Sequence, residues 1–130
     1  MSQANVEVVR AAVDALNARD RERLFGMIHP EVEFRSATEQ NVYRGYAGLE
    51  QYRRDVDATL DNFRTEDNQF LDGEGERVVH LYRVVARGLG SGVPVGREMG
   101  AVHELRDGKI VRVETYLNPQ DALVAAGLRE

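Results

Sequence analysis

The sequence has no cysteine and no tryptophan, and a single lysine, Lys109, among 17 basic residues. Without cysteine there can be no disulfide, thiolate zinc site or cysteine nucleophile. Acidic side chains outnumber basic ones by 22 to 17, and the net charge of −5 argues against binding to a nucleic-acid backbone. No apolar run approaches the roughly 20 residues that span a bilayer, and the charged N-terminus lacks a signal-peptide core. We therefore expect a cytoplasmic protein that binds neither nucleic acid nor membrane.

What the sequence does contain is typical of a small globular protein. It has 130 residues, of which 42% are hydrophobic and 30% charged, and this predicts one domain over residues 1–130. The three histidines, His29, His80 and His103, are far apart and show no metal-ligand spacing, so we expect no metal site.

Hydrophobic periodicity predicts helices first and strands later. The opening helix carries Val6, Val9, Val13 and Leu16 on one face, with Ser2 or Asn5 as its cap. The other predicted elements are a helix over 21–28 capped by Asp20, a strand over 31–35, a polar turn region over 36–45, a helix with apolar residues from 49 to 63, strands over 64–71, 76–88, 95–106 and 109–117, and a helix over 122–126 that Asn118 begins. This order predicts an α+β fold with helices packed on one face of a curved, mostly antiparallel sheet.

Asp107-Gly108 is the strongest local signal, because this pair between alternating runs favours a two-residue type I′ hairpin. Such a turn would place residue 105 opposite 110, 103 opposite 112 and 101 opposite 114. Since side chains alternate, one face would hold Met99, Ala101, His103, Leu105, Ile110, Arg112, Glu114 and Tyr116. The other would hold Gly100, Val102, Glu104, Arg106, Lys109, Val111, Val113, Thr115 and Leu117. This second face has an aliphatic centre with charged ends, which would suit a sheet-to-sheet dimer. A bulge upstream of residue 101 would invert the assignments there.

Short segments along almost the whole chain resemble one known family. They are residues 16–20 (LNARD), 28–34 (IHPEVEF), 43–49 (YRGYAGL), 90–92 (GSG), 107–111 (DGKIV) and the tail from 122 to 128. On these segments the sequence resembles the SnoaL-like domains of the nuclear-transport-factor-two-like superfamily, which includes ketosteroid isomerases and polyketide cyclases. The resemblance implies a cone-shaped α+β barrel with a pocket inside, and in many members a homodimer formed through the outer sheet face. The resemblance does not by itself imply an activity. Because the sequence has no thiol, metal-ligand spacing or phosphate loop, we also expect no cofactor.

The resemblance also suggests that the face with His103 and Glu114 points inward. Glu114 is the candidate general base, because an apolar cavity would raise the pKa of its carboxyl; the alternative is that Arg112 simply pairs with it. His103 is a candidate for proton transfer or for filling the wall, and Tyr116 for polarising a carbonyl or for bridging core and rim. Arg112 could instead bind an anionic substrate group.

Other residues are candidates for substrate contacts. Met99 and Leu105 lie on the same predicted face, Phe34 lies on the first strand, and Tyr82 is a candidate if its side of strand 76–88 points inward. That strand has Val78, His80, Tyr82 and Val84 on one side and Val79, Leu81, Arg83 and Val85 on the other, and either side could be the inner one.

Two functions follow as alternatives. The first is a cofactor-free lyase, isomerase or hydrolase acting on a small apolar substrate, with Glu114 as base and Tyr116, His103 or Arg112 stabilising an oxyanion. The second is a ligand-binding or dimerisation module without turnover. In SnoaL-like polyketide cyclases an acid stands at the position of Ala101, so cyclase chemistry would need Glu114, predicted directly opposite, to replace it.

Overall fold

The computed structural model describes residues 3–128 as four helices and six strands. They are, in order, α1 (Gln3–Ala18), α2 (Arg21–Gly26), β1 (Ile28–Ser36), β2 (Asn41–Arg44), α3 (Gly45–Asp57), β3 (Leu60–Asp72), β4 (Arg77–Gly88), β5 (Pro94–Arg106), β6 (Lys109–Tyr116) and α4 (Pro119–Ala125). None of these helices is long and apolar enough to cross a membrane.

The strands form a single curved sheet in the order β2-β1-β6-β5-β4-β3. The predicted meander of β3 to β6 is antiparallel throughout, whereas β1 pairs parallel to β6. Helices α1 and α3 pack against one face, which we call the concave face, and α4 packs against the other, the outer face. The predicted α+β class is confirmed, but the last helix is not on the same side as the others.

The main core lies between α1 and the concave face. Its buried members are Val6, Val9, Ala12, Ile28, Val32, Val78, Leu105 and Ile110. Val9 is fully buried and Ile110 is 1% exposed. Burying such an aliphatic side chain stabilises a fold by roughly 1.5–3 kcal/mol, so this stripe fixes α1 across the sheet.

Two predicted helix caps are present, and a third lies outside the described residues. The Asp20 carboxylate accepts a hydrogen bond from Arg23 N, and Asn118 Oδ1 accepts one from Gln120 N at 2.8 Å. The proposed cap Ser2 is not among residues 3–128, and Asn5 lies inside α1 rather than before it.

Two element boundaries predicted from the sequence are wrong. The apolar spacing suggested that the third helix extends to residue 63, but α3 ends at Asp57 and β3 begins at Leu60. Leu60 and Phe63 continue the helical spacing, but both residues belong to β3. The pairing of β3 with β4 is irregular between Asp61 and Arg64, where Asn62 has a φ of 58°. Residues 41–44, predicted as part of a turn region, form the edge strand β2, which pairs with β1.

The hairpin between β5 and β6 has the predicted turn but not the predicted register. Asp107 and Gly108 have φ of 54° and 76°, as a type I′ turn requires, and Leu105 pairs with Ile110 as expected. Val111 is then an extra residue, a β-bulge, so that Glu104 pairs with Arg112. Because side chains alternate with a period of two, this one residue moves every later side chain of β6 to the opposite face.

Candidate functional site

The concave face carries two buried histidines. The rings of His80 on β4 and His103 on β5 lie 6.1 Å apart, centroid to centroid. His80 is stacked between Phe70, at 4.8 Å, and Tyr82, at 4.4 Å. The structure therefore settles the open question of β4: the side with His80 and Tyr82 is the inner one.

Both histidines are neutral at neutral pH. Burial lowers the pKa of His80 to about 2, with a smaller effect from nearby His103, and burial lowers that of His103 to about 4. The His80 Nε2 lies 2.7 Å from the Asn68 Oδ1, and an amide oxygen can only accept, so His80 carries its proton on Nε2. The Nδ1 atom of His103 is buried and has no hydrogen-bond partner among residues 3–128. An unpaired buried nitrogen of this kind is unfavourable unless something binds it.

Next to the histidines lies a group of aromatic side chains. Tyr52 of α3 meets Phe34 edge to face at 4.7 Å and Tyr43 at 5.5 Å. Tyr43 donates a 2.6 Å hydrogen bond to Asp55, and burial together with this bond raises the pKa of Tyr43 to about 12. Burial also raises the pKa of Tyr52 and of Tyr82. Within residues 3–128 neither the Tyr52 nor the Tyr82 hydroxyl has a hydrogen-bond partner. Tyr52 lines the cavity described next, whereas Tyr82 does not.

A cavity of about 350 Å³ opens between α1, α2, α3 and the start of β3. Its wall is mostly apolar, and its apolar members are Ala15, Leu16, Leu24, Phe25, Tyr52, Val56 and Phe63. Phe63 also packs against the buried group formed by Tyr82, Val84, Met99 and Ala101. The cavity therefore lies between the three helices and borders the buried Tyr82 group through Phe63.

Charged side chains surround the cavity mouth. They are Arg19, Asp20, Arg21, Glu50, Arg53, Arg54 and Asp57. Two ion pairs link the end of α1 and the start of α2 to α3: Arg19 lies 3.7 Å from Asp57, and Arg21 contacts Glu50. Arg21 also lies over the Phe25 ring at 5.0 Å. The apolar wall of the cavity is therefore bordered by charged side chains, several of which are held in ion pairs.

The structure places Glu114, Arg112 and Tyr116 elsewhere, on the outer face. Beyond the Val111 bulge, Glu114 is opposite Val102 and Ala101 is opposite Thr115, so the predicted pairing of Ala101 with Glu114 is wrong. The alternative that Arg112 pairs with Glu114 is confirmed: Arg112 Nη2 is 3.3 Å from Glu114 Oε1, and the two side chains are 45% and 37% exposed. Glu114 as a base remains a prediction, but it does not share a face with His103.

Arg112, Glu114 and Tyr116 line a separate surface groove of about 240 Å³ together with Arg77, Val102, Glu104 and Ala125. Partial burial and the neighbouring Glu114 raise the pKa of Tyr116.

The bulge also changes the predicted outer face. Val113 packs with the concave clusters, whereas Val102 is covered by Ala122 of α4 and by Ala126, which follows that helix. The aliphatic centre that suggested a sheet-to-sheet homodimer is therefore not exposed on that face. The homodimer itself stays a prediction.

The predicted substrate-binding residues are divided between two parts of the interior. Tyr82 and Met99 pack in one buried group and Phe34 lies beside Tyr52, near the cavity floor. Leu105 belongs to the core beneath α1 instead. Within residues 3–128 no cluster of three potential metal ligands is present.

Most of the residues that line the cavity were missed from the sequence as functional residues. Leu16, Tyr52 and Val56 were recognised only as apolar faces of helices, and Arg53 as part of a solvated face. Helical spacing identifies a face that is removed from water, but it does not distinguish close packing from a cavity.

Comparison with known proteins agrees with this fold. The family model of the SnoaL-like domain matches residues 9–113, so the chain belongs to the SnoaL-like family. No curated protein matches the sequence.

Solved structures of the same fold are similar over nearly their whole length. One is an NTF2-like protein of unknown function from Burkholderia pseudomallei, with a TM-score of 0.80 and 19% identity, covering 97% of this chain and 98% of that chain. Another is a putative polyketide cyclase from Xanthomonas campestris, with a TM-score of 0.78 and 22% identity, covering 95% of this chain and 96% of that chain. A third is a hypothetical protein with a ketosteroid isomerase-like fold from Catenulispora acidiphila, in complex with trimethylamine, with a TM-score of 0.76 and 16% identity, covering 99% of this chain and 96% of that chain. At these identities the likeness shows the fold alone.

Proposed function

We propose that this SnoaL-like domain binds a small, mainly apolar molecule in the cavity between α1, α2, α3 and β3. The observation that carries the proposal is the cavity itself: its volume of about 350 Å³ lies in the range of ligand sites, and its wall is aliphatic and aromatic. The Tyr52 hydroxyl, which has no partner among the described residues, supplies a polar group that can orient a ligand.

A neutral bicyclic ester, methyl 2-naphthoate, tests this proposal. We expect isothermal titration calorimetry to detect binding to the unaltered protein. Leu24→Trp, which enlarges a side chain of the cavity wall, should weaken binding by roughly tenfold or more, because the ring takes the ligand's space. Leu89→Trp makes the same exchange at a 55% exposed position outside the cavity and should leave binding unchanged. No binding to the unaltered protein, or equal binding by the Leu24→Trp variant, would contradict the proposal.

A second candidate function is cofactor-free acid–base catalysis on the bound molecule. The observation that favours it is the buried His103 Nδ1, which has no hydrogen-bond partner among residues 3–128. His103 does not line the cavity, so this function requires the bound molecule to reach past Phe63 to the concave face. A neutral imidazole can accept a proton from carbon while a phenol stabilises the resulting enolate.

Exchange of the α-protons of 2-tetralone in D₂O, followed by NMR, separates catalysis from binding alone. If His103 is the base, exchange exceeds the buffer rate and His103→Leu removes the excess, roughly a hundredfold effect. Glu114→Gln, on the outer face, should leave it intact. Exchange at the buffer rate supports a binding module, and loss in Glu114→Gln would instead support Glu114 as the base.

A further inference from the structure

Of the four arginines that line the cavity, Arg53 is the one without an ion pair or a hydrogen bond among residues 3–128. Arg53 of α3 is half-buried and lines the cavity next to Tyr52. A half-buried cation without a partner is less stable than one paired with an anion.

The acidic residues of the mouth are already engaged. Glu50 contacts Arg21, and Asp57 lies 3.7 Å from Arg19. Asp20 caps α2 through its hydrogen bond with Arg23 N. Arg54, the neighbour of Arg53, donates to the Gln51 side chain at 2.8 Å. The cavity lining has four arginines against three carboxylates, so the charge left for a ligand is positive.

Arg53 follows Tyr52 on α3, and both residues line the cavity. The Tyr52 ring is in the cavity wall, and its hydroxyl has no partner among the described residues. A ligand in the cavity can therefore meet both a phenol and a guanidinium, and the guanidinium can bind a carboxylate or phenolate through charge-assisted hydrogen bonds.

We propose that the natural ligand is an aromatic or aliphatic acid, whose anionic group pairs with Arg53 while its apolar body occupies the cavity. This inference rests on the proposed function, since it assigns the chemical class of molecule that the same cavity binds. The arginine then has a partner only when the ligand is bound, and neutral molecules of the same shape bind more weakly.

Three bicyclic probes of similar shape test this class: 2-naphthoate, its neutral methyl ester and 2-naphthylmethylammonium. We expect calorimetry to show 2-naphthoate binding about tenfold or more tightly than the ester, and the ammonium binding most weakly. Arg53→Met should remove the preference for the acid while leaving the ester's affinity nearly unchanged, and Arg53→Lys should keep part of it. Arg23→Met removes the same charge from an exposed position on α2 outside the cavity and should keep the preference.

The outcomes separate this inference from the proposed function. If the ester binds as tightly as the acid, or Arg53→Met keeps the preference, the assignment to an acid is wrong while binding in the cavity stands. Tighter binding of the ammonium would overturn the acid in favour of a cation. If none of the three probes binds, the proposed function fails and the inference fails with it.

Discussion

Lowering the pH from 6.5 to 4 is expected to destabilise this protein by several kcal/mol, because two buried histidines must take up protons when it unfolds. His80 and His103 have pKa values of about 2 and about 4 in the folded state, both lowered by burial from 6.5. No carboxylate is hydrogen-bonded to either ring in the described part of the chain. The folded protein therefore gains nothing from charging them.

The direction of this pH effect follows from the number of protons that the folded and the unfolded chain bind. Below pH 6.5 the unfolded chain binds more protons than the folded one, so the stabilisation is fully present above 6.5 and is lost as the pH falls. Each histidine contributes about 1.4 kcal/mol per pH unit until its folded pKa is reached. Down to pH 4 this amounts to roughly 3 kcal/mol for each ring. That is a large share of the roughly 5–15 kcal/mol that holds a domain folded.

Urea denaturation at pH 7, 5.5 and 4.5 measures this loss directly. We expect His103→Leu to make the free energy of unfolding less dependent on pH, by the equivalent of one bound proton, or about 1.4 kcal/mol per pH unit. His29→Asn serves as the matched control, because His29 lies outside the buried pair with its Nδ1 accepting from Glu31 N. A His103→Leu variant with the slope of the unaltered protein would show that His103 is not held neutral by burial.

The fold could be predicted from local patterns, because its elements agree with their sequence signals. Asp107-Gly108 forms the expected turn, Asp20 and Asn118 cap the expected helices, and the alternating segments form the expected meander. Each signal depends on neighbouring residues only, and such signals survive folding when the tertiary structure does not oppose them.

The positions of the predicted catalytic residues were less predictable, because the face on which they lie depends on a single bulge. Val111 is β-branched and has no glycine beside it in the strand, so nothing in the sequence marks it as the extra residue. The irregularity coincides with a break in the neighbouring pairing, since β1 and β6 lose their regular register between Ile28 and Glu33, where Pro30 has no N–H to donate. This is a tertiary effect, and it moved Glu114, Arg112 and Tyr116 to the outer face.

The second large effect is expected at Gly100, where α4 rests on the outer face. A Cβ added to Gly100 would lie 2.7 Å from the Ala122 Cβ and 3.3 Å from the Leu81 Cδ2 and the Pro119 Cα. Ala122 is fully buried in this contact. Because the nearest obstacle belongs to a docked helix and not to a flexible side-chain end, the helix itself must move.

Gly100→Val should therefore lower the free energy of unfolding by about 2–3 kcal/mol, the cost typical of overpacking a close contact. Gly26→Ala is the control, because a Cβ there meets nothing within 4 Å, and it should leave stability nearly unchanged. Ala122→Gly removes the opposing methyl group, so in a double-mutant cycle with Gly100→Ala the two losses should be less than additive. Strict additivity, or a Gly100→Val variant as stable as Gly26→Ala, would mean that α4 does not pack tightly on β5. The outer face around Val79 and Val102 would then be free for a second copy of the chain.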